Sequence, residues 1–127
     1  MSDKSIAQKL QIKANRTALF VNAPKGYEEK LGALPDGVFI AKKIGARVDF
    51  IQVFGGTRKE LEEYMPRLKP TLNPAGVFWV TYHKGTSGVP TDINRDSIAA
   101  YAKTIGMQAV AQIAVDEDWS ALRLKIV

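Results

Sequence analysis

The stretch from Asp49 to Lys84 constrains this chain most, because it sets two continuous apolar runs around one amphipathic helix. Asp49-Phe50-Ile51-Gln52-Val53-Phe54 is followed by Gly55-Gly56, a helix opened by Thr57, and then Val77-Phe78-Trp79-Val80-Thr81-Tyr82. Thr57 and Glu60 have the spacing of a capping box, in which the hydroxyl accepts from the N3 amide and the carboxylate from the cap amide. Leu61, Tyr64, Met65 and Leu68 repeat at helical spacing and give one apolar stripe. Pro66 inside that stripe predicts a kink, since it deletes one backbone bond and its ring crowds the carbonyl a turn earlier. Pro70, Asn73, Pro74 and Gly76 predict the helix's end. Strands apolar on both faces, joined by a crossover helix, imply a parallel sheet covered on both sides with right-handed connections.

The flanking sequence extends this unit. A short helix is expected over residues 3–12, capped at Ser2 or Asp3, with Ile6, Ala7 and Leu10 inward. Arg16 to Asn22 reads as a buried first strand, and Asn22-Ala23-Pro24-Lys25-Gly26 as a turn. A brief helix follows over Tyr27–Leu34, stopped by Pro35-Asp36-Gly37. Val38–Ala41 is a short second strand, and Lys42–Val48 is too short for the usual crossover of about a dozen residues. Its path, parallel at the sheet edge or irregular, stays open. Thr91 or Asp92 is expected to cap a helix carrying Ile98, Tyr101, Ala102 and Ile105, closed by Gly106. Met107–Val115 puts Met107, Ala109, Ala111, Ile113 and Val115 on one face, and Trp119–Val127 opposes Leu122, Leu124 and Ile126 to Arg123 and Lys125. These last two form a hairpin, so the sheet is mixed. No internal repeat is visible, and 127 residues form a single domain, 1–127, able to bury its own core.

With no cysteine, the chain has no disulfide framework and no thiolate chemistry. No apolar run reaches the ~18–20 residues that span a bilayer, so no membrane partner is expected and a cytoplasmic location is. The net charge is +5 with a pI near 9.5. All of the excess lies in residues 1–47, which hold nine basic side chains against four acids. That asymmetry reads either as solvated lysines or as an anion or nucleic-acid face, and no exposed aromatics interleave it as in a single-strand binder.

The central unit, the step Leu72-Asn73-Pro74-Ala75-Gly76-Val77-Phe78-Trp79-Val80, and the helix and closing hairpin resemble the second half of class I S-adenosylmethionine-dependent methyltransferases. More narrowly, Asn22-Ala23-Pro24, the Leu-Asn-Pro-Ala-Gly step, Lys84 with Thr86-Ser87-Gly88 and Thr91-Asp92, and Val115-Asp116-Glu117-Asp118-Trp119-Ser120 resemble a bacterial domain-of-unknown-function family of small proteins, from about Leu10 onward. The resemblance implies a Rossmann-like three-layer α/β sandwich, mostly parallel with a C-terminal antiparallel hairpin, of strand order 2-1-3-4-6-5. Methyltransferases hold their cofactor with an acid ending the first strand, a glycine-rich turn, and an acid after the second strand. Here those places hold Asn22-Ala23-Pro24-Lys25, the single Gly26, and Ala41-Lys42-Lys43. No cofactor is therefore expected, S-adenosylmethionine included.

In such a sheet ligands sit at the carboxyl ends of the strands, where strand order reverses. The candidate ligand-binding residues are Asn22, Lys25, Gly26, Gly55, Gly56, Thr57, His83, Lys84 and Ser87. Phe54-Gly55-Gly56-Thr57 places glycines before a helix amino terminus that favours an anion, or merely permits a tight turn. Lys84-Gly85-Thr86-Ser87-Gly88 is an anion loop or a flexible connection, and it is not a Walker sequence, because its lysine precedes the small residues. His83 is the only histidine, which excludes a multi-histidine metal site; a triad with Ser87 and Asp92 or Asp49 is weaker than a hydrogen-bonded strand-end histidine. No catalytic residue and no metal ligand is assigned, and Asp116-Glu117-Asp118 reads as a hairpin tip. Trp79 and Trp119 read as core anchors. The expected function is a non-catalytic binding or regulatory module. Alternatives are an enzyme or binder of an anionic, nucleotide-like metabolite at the strand-end crevice, and a basic nucleic-acid-associated protein. A homo-oligomer is compatible with the first.

Overall fold

The computed structural model describes residues 5–85, 88 and 91–127. Its elements run α1 (Ile6–Lys9), β1 (Thr17–Val21), α2 (Tyr27–Lys30), β2 (Phe39–Ile40), β3 (Val48–Gly55), α3 (Arg58–Leu68), β4 (Leu72–His83), α4 (Arg95–Thr104), β5 (Met107–Ala114) and β6 (Trp119–Ile126). The six strands form one sheet of order β2-β1-β3-β4-β6-β5. β2, β1, β3 and β4 are parallel, and β6 runs antiparallel between β4 and β5. This is the Rossmann-like α/β architecture expected from the apolar runs at Phe20, Phe50 and Trp79.

Two cores sandwich the sheet. On one face Leu61, Met65 and Leu68 of α3 and Ile98 and Ala102 of α4 pack on Ile51, Val53, Phe78 and Val80. On the other, Ala7, Leu10, Tyr27 and Leu31 pack on Phe50, Phe54 and Trp79. Trp79 is buried and its indole N–H donates to the Leu10 carbonyl at 3.0 Å, tying the N-terminal segment across the sheet.

Several elements are shorter or capped elsewhere than their sequence suggests. α1 is one turn, capped by a reciprocal bond pair between Ser5 and Gln8; the expected caps Ser2 and Asp3 lie outside the described residues. α2 is also one turn. β2 keeps two residues, paired parallel to β1 at the edge, so the bare connection carries a parallel strand after all. In α3 only half of the capping box forms: the Thr57 hydroxyl accepts from the Glu60 amide at 3.2 Å. Asn94, not Thr91 or Asp92, caps α4, with Ser97 closing a reciprocal pair.

Two bulges change which side chains face where. Between Val48 and Phe50 β3 advances two residues while β4 advances five, from Leu72 to Val77, so β4 begins before its apolar run and arches out at 73–76. Proline is tolerated in a bulge, where no ladder bond is lost. A second bulge at Val110 in β5 reverses its alternation. Met107 and Ala109 therefore pack on the α3/α4 side, whereas Ile113 and Val115 join the opposite core, and the single apolar face expected of this strand is split.

Pro66 does not end α3, which continues to Leu68. It has no N–H for the Glu62 carbonyl a turn earlier, and the Tyr101 hydroxyl of α4 donates there instead at 3.3 Å. Burial raises the Tyr101 pKa, keeping the phenol a donor. Among the described residues no helix is long and apolar enough to cross a membrane.

Candidate functional site

The carboxyl ends of β1, β3 and β4 bring the predicted residues to one end of the sheet, but not into one cavity. Asn22 follows β1 with φ +58°, a left-handed conformation that asparagine tolerates, and Gly26 reaches φ +81° as it enters α2. Lys25 and Gly26 border an open depression of about 520 Å³ shared with Tyr27 and Glu28. Lys84 borders a separate one of about 580 Å³, on the α4 side of the sheet, with Tyr82, Arg95 and Gln112. The alternation of β4 separates them: Tyr82 belongs to the α3/α4 core, while His83 turns toward the α1/α2 face and stacks on Trp119 with ring centroids 3.9 Å apart. Ser87 lies outside the described residues.

Between these depressions the crevice is filled from within. Trp119 meets Phe54 edge-on at 5.1 Å, Phe54 meets Tyr27 at 4.7 Å, and Tyr27 meets Phe20 at 6.0 Å. Beneath them the Tyr27 hydroxyl donates to Gln52 Oε1 at 2.9 Å, and Gln52 Nε2 donates to Thr81 Oγ1 at 2.8 Å. Gln52 and Thr81 are wholly buried, so the chain satisfies polar groups that would otherwise be costly there. Burial raises the Tyr27 pKa strongly, which keeps its proton in place for Gln52. The buried Nδ1 of His83 has no hydrogen-bond partner among the described residues.

The amino terminus of α3, the predicted anion position, already holds an anion of the protein's own. Asp92 Oδ1 accepts from the Arg58 amide at 2.7 Å, and Thr57 Oγ1 takes the Glu60 amide. The Thr91 hydroxyl donates to the Gly56 carbonyl at 2.9 Å, holding this carboxylate over Gly55-Gly56. Gly55 is needed here for packing, because a Cβ would stand 2.5 Å from Leu61 Cδ2. The sequence offers Asp92 as a cap of the following helix or as the orienting acid of a triad; what it caps is α3, 34 residues earlier in sequence.

At the hairpin tip Asp116 Oδ1 accepts from the Asp118 and Trp119 amides at 2.8 and 2.9 Å, a turn-closing role for the first of the three acids. Among the described residues no group of three metal-ligating side chains converges.

The likeness to methyltransferases extends to solved structures. The chain superposes on a SAM-dependent methyltransferase from Aquifex aeolicus with a TM-score of 0.69 at 15% identity, covering 96% of this chain and 88% of that one. A ribosomal protein L11 methylase from Lactobacillus delbrueckii subsp. bulgaricus gives 0.61 at 14% identity, over 95% and 74% of the two chains. The DhpI–SAH complex gives 0.64 at 9% identity, over 97% and 82%. No protein-family model and no curated sequence matches this chain. At these identities the shared property is the fold.

Proposed function

We propose that this protein is a non-catalytic binding module: a methyltransferase-type core whose strand-end crevice is closed by its own side chains. The carrying observation is the Asp92 carboxylate on the α3 amino terminus, where a ligand's anion would otherwise find free amides. The resemblance to methyltransferases implies S-adenosylmethionine, and the residues present do not fit it. The turn after β1 offers exposed Asn22 and Pro24, the latter without an amide donor, and the turn after β2 offers Lys42 and Lys43 where ribose hydroxyls would need a carboxylate. The space between is taken by the Tyr27, Phe54 and Trp119 rings.

Calorimetry and thermal denaturation with S-adenosylmethionine and S-adenosylhomocysteine test this reading. The expected outcome is no saturable heat and no change in melting temperature. A ligand at a hundredfold excess over its Kd would add about 2.7 kcal/mol, so a clear, saturable stabilisation by either compound overturns the proposal.

A further inference from the structure

The opposite end of the sheet carries a third cavity, bordered at Ala75 by the very step Leu72-Asn73-Pro74-Ala75-Gly76 on which the family likeness rests. The 73–76 arch of β4 is latched to β3: Asn73 Nδ2 donates to Asp49 Oδ1 at 2.8 Å, and the Thr17 amide donates to Asp49 Oδ2 at 3.0 Å. Gly76 lets the arch close, since a Cβ there would lie 2.8 Å from the Asp49 carbonyl oxygen and 2.5 Å from Leu72 Cδ1. The arch, the start of β3 and the segment after α1 enclose about 140 Å³. Ile12, Phe50 and Val77 form its apolar wall, and Lys13, Arg16 and Arg123 its charged one.

The charge of this cavity is lopsided. Among the described residues Asp49 is its one acid, and both of its oxygens are committed to the Thr17 and Asn73 donors, which with nearby Arg16 hold its carboxyl below the usual range. Among the described residues no carboxylate lies within ion-pair distance of Lys13, Arg16 or Arg123; the pairs that do form are Arg58–Glu62 and Arg95–Asp96. Arg123 is half-buried and oriented by donating Nη1 to the neutral Gln11 Oε1 at 2.7 Å. Three cations facing one engaged carboxylate leave a surplus of positive charge beside an apolar wall. Guanidinium forks suit a phosphate's oxygens bidentately.

We propose that this cavity binds the phosphate of a small phosphomonoester, with Arg16, Arg123 and Lys13 holding the dianion and Ile12 and Val77 taking the ligand's body. A small, partly open cavity with one cationic wall and, among the described residues, no exposed aromatic lining suits a single phosphate rather than a strand of nucleic acid. The site lies at the amino ends of the parallel strands, away from the strand-end crevice, and stands or falls independently of the function proposed for that crevice.

Amide NMR titration of the full chain with inorganic phosphate, phenyl phosphate and a short single-stranded RNA lacking terminal phosphates tests it. Phenyl phosphate is expected to shift the amides of Lys13, Arg16, Val77 and Arg123 saturably, and more tightly than inorganic phosphate. Arg16→Gln and Arg123→Gln are each expected to weaken it about tenfold, the scale of a lost charge-assisted hydrogen bond. Lys59→Gln, at an exposed position of α3, is expected to leave it unchanged, and the amide spectrum confirms that each variant is folded. Absence of saturable shifts overturns the proposal, as do equal affinities in all variants. RNA binding at these amides that phenyl phosphate does not displace also overturns it.

Discussion

The two ends of the sheet are built on opposite plans. At the carboxyl end the crevice between the two open depressions is occupied by the protein itself: Asp92 on the α3 amides, four aromatic rings over the crevice, and Gln52 between Tyr27 and Thr81. At the amino end the backbone is latched just as firmly through Asp49, yet three cations line a cavity with no ion-pair partner among the described residues. Filling a crevice converts potential binding energy into folding energy. Leaving charges unpaired at a surface does the reverse. Substitutions at the first end should therefore cost stability, and those at the second should cost affinity.

The largest expected effect is at the sealed end. Gln52→Leu removes one partner from each of two buried hydroxyls, those of Tyr27 and Thr81, and should destabilise the fold by about 3 kcal/mol in urea denaturation. A cost below about 1 kcal/mol would mean that water reaches this network and that the end is not sealed. Tyr27→Phe leaves only Gln52 Oε1 unpaired and keeps the edge-on ring contacts, so about 1.5 kcal/mol is expected by the same measurement.

Asp92→Ala should cost about 1 kcal/mol, the usual value of a lost helix cap, and free the Arg58 amide. Titration with inorganic phosphate should then move the Arg58 and Lys59 amides in this variant and not in the wild type; equal shifts in both would remove the distinction between the ends. Asp49 supplies the pH dependence of the amino end. Its folded pKa lies below the ordinary 3.8, chiefly through the Thr17 amide and then through Asn73, so its contribution is present above that value. It is lost as pH falls through the folded value, and Asp49→Asn should flatten this acid limb of the stability curve. The smallest effect on stability is expected for Arg123→Gln, within about 0.5 kcal/mol, as for other surface changes.

Much of the fold was legible because it rests on local patterns. Val21, Ile51, Val53 and Val80 lie in apolar runs with one plausible partner geometry, and the alternation of β6 announced its antiparallel return. What escaped depends on residues distant in sequence. Asp92 has cap-forming chemistry wherever it stands, and nothing in its neighbours says that it reaches the Arg58 amide. Pro74 was read as a terminator because a bulge within β4 has the same composition as a loop. At the candidate site, the strand ends were correctly located, but alternation along β4 puts His83 and Lys84 on different faces, a consequence of period two that the spacing itself contains. The basic cavity joins Arg16 to Arg123 across almost the whole chain; the available signals were the basic excess of residues 1–47, which includes Lys13 and Arg16, and the opposition of Arg123 to Leu122 and Leu124 in β6, and neither says that the two meet.

The hydroxyl that Tyr101 lends to Glu62 makes the helical layer on that face a cooperative pair. If α4 detaches, α3 loses both an apolar neighbour and the side-chain proton that Tyr101 offers to the Glu62 carbonyl facing Pro66, so its last turn should open as well. Amide protons of the two helices should then exchange with solvent through shared openings, while those of the strands beneath them are released only when the whole molecule unfolds.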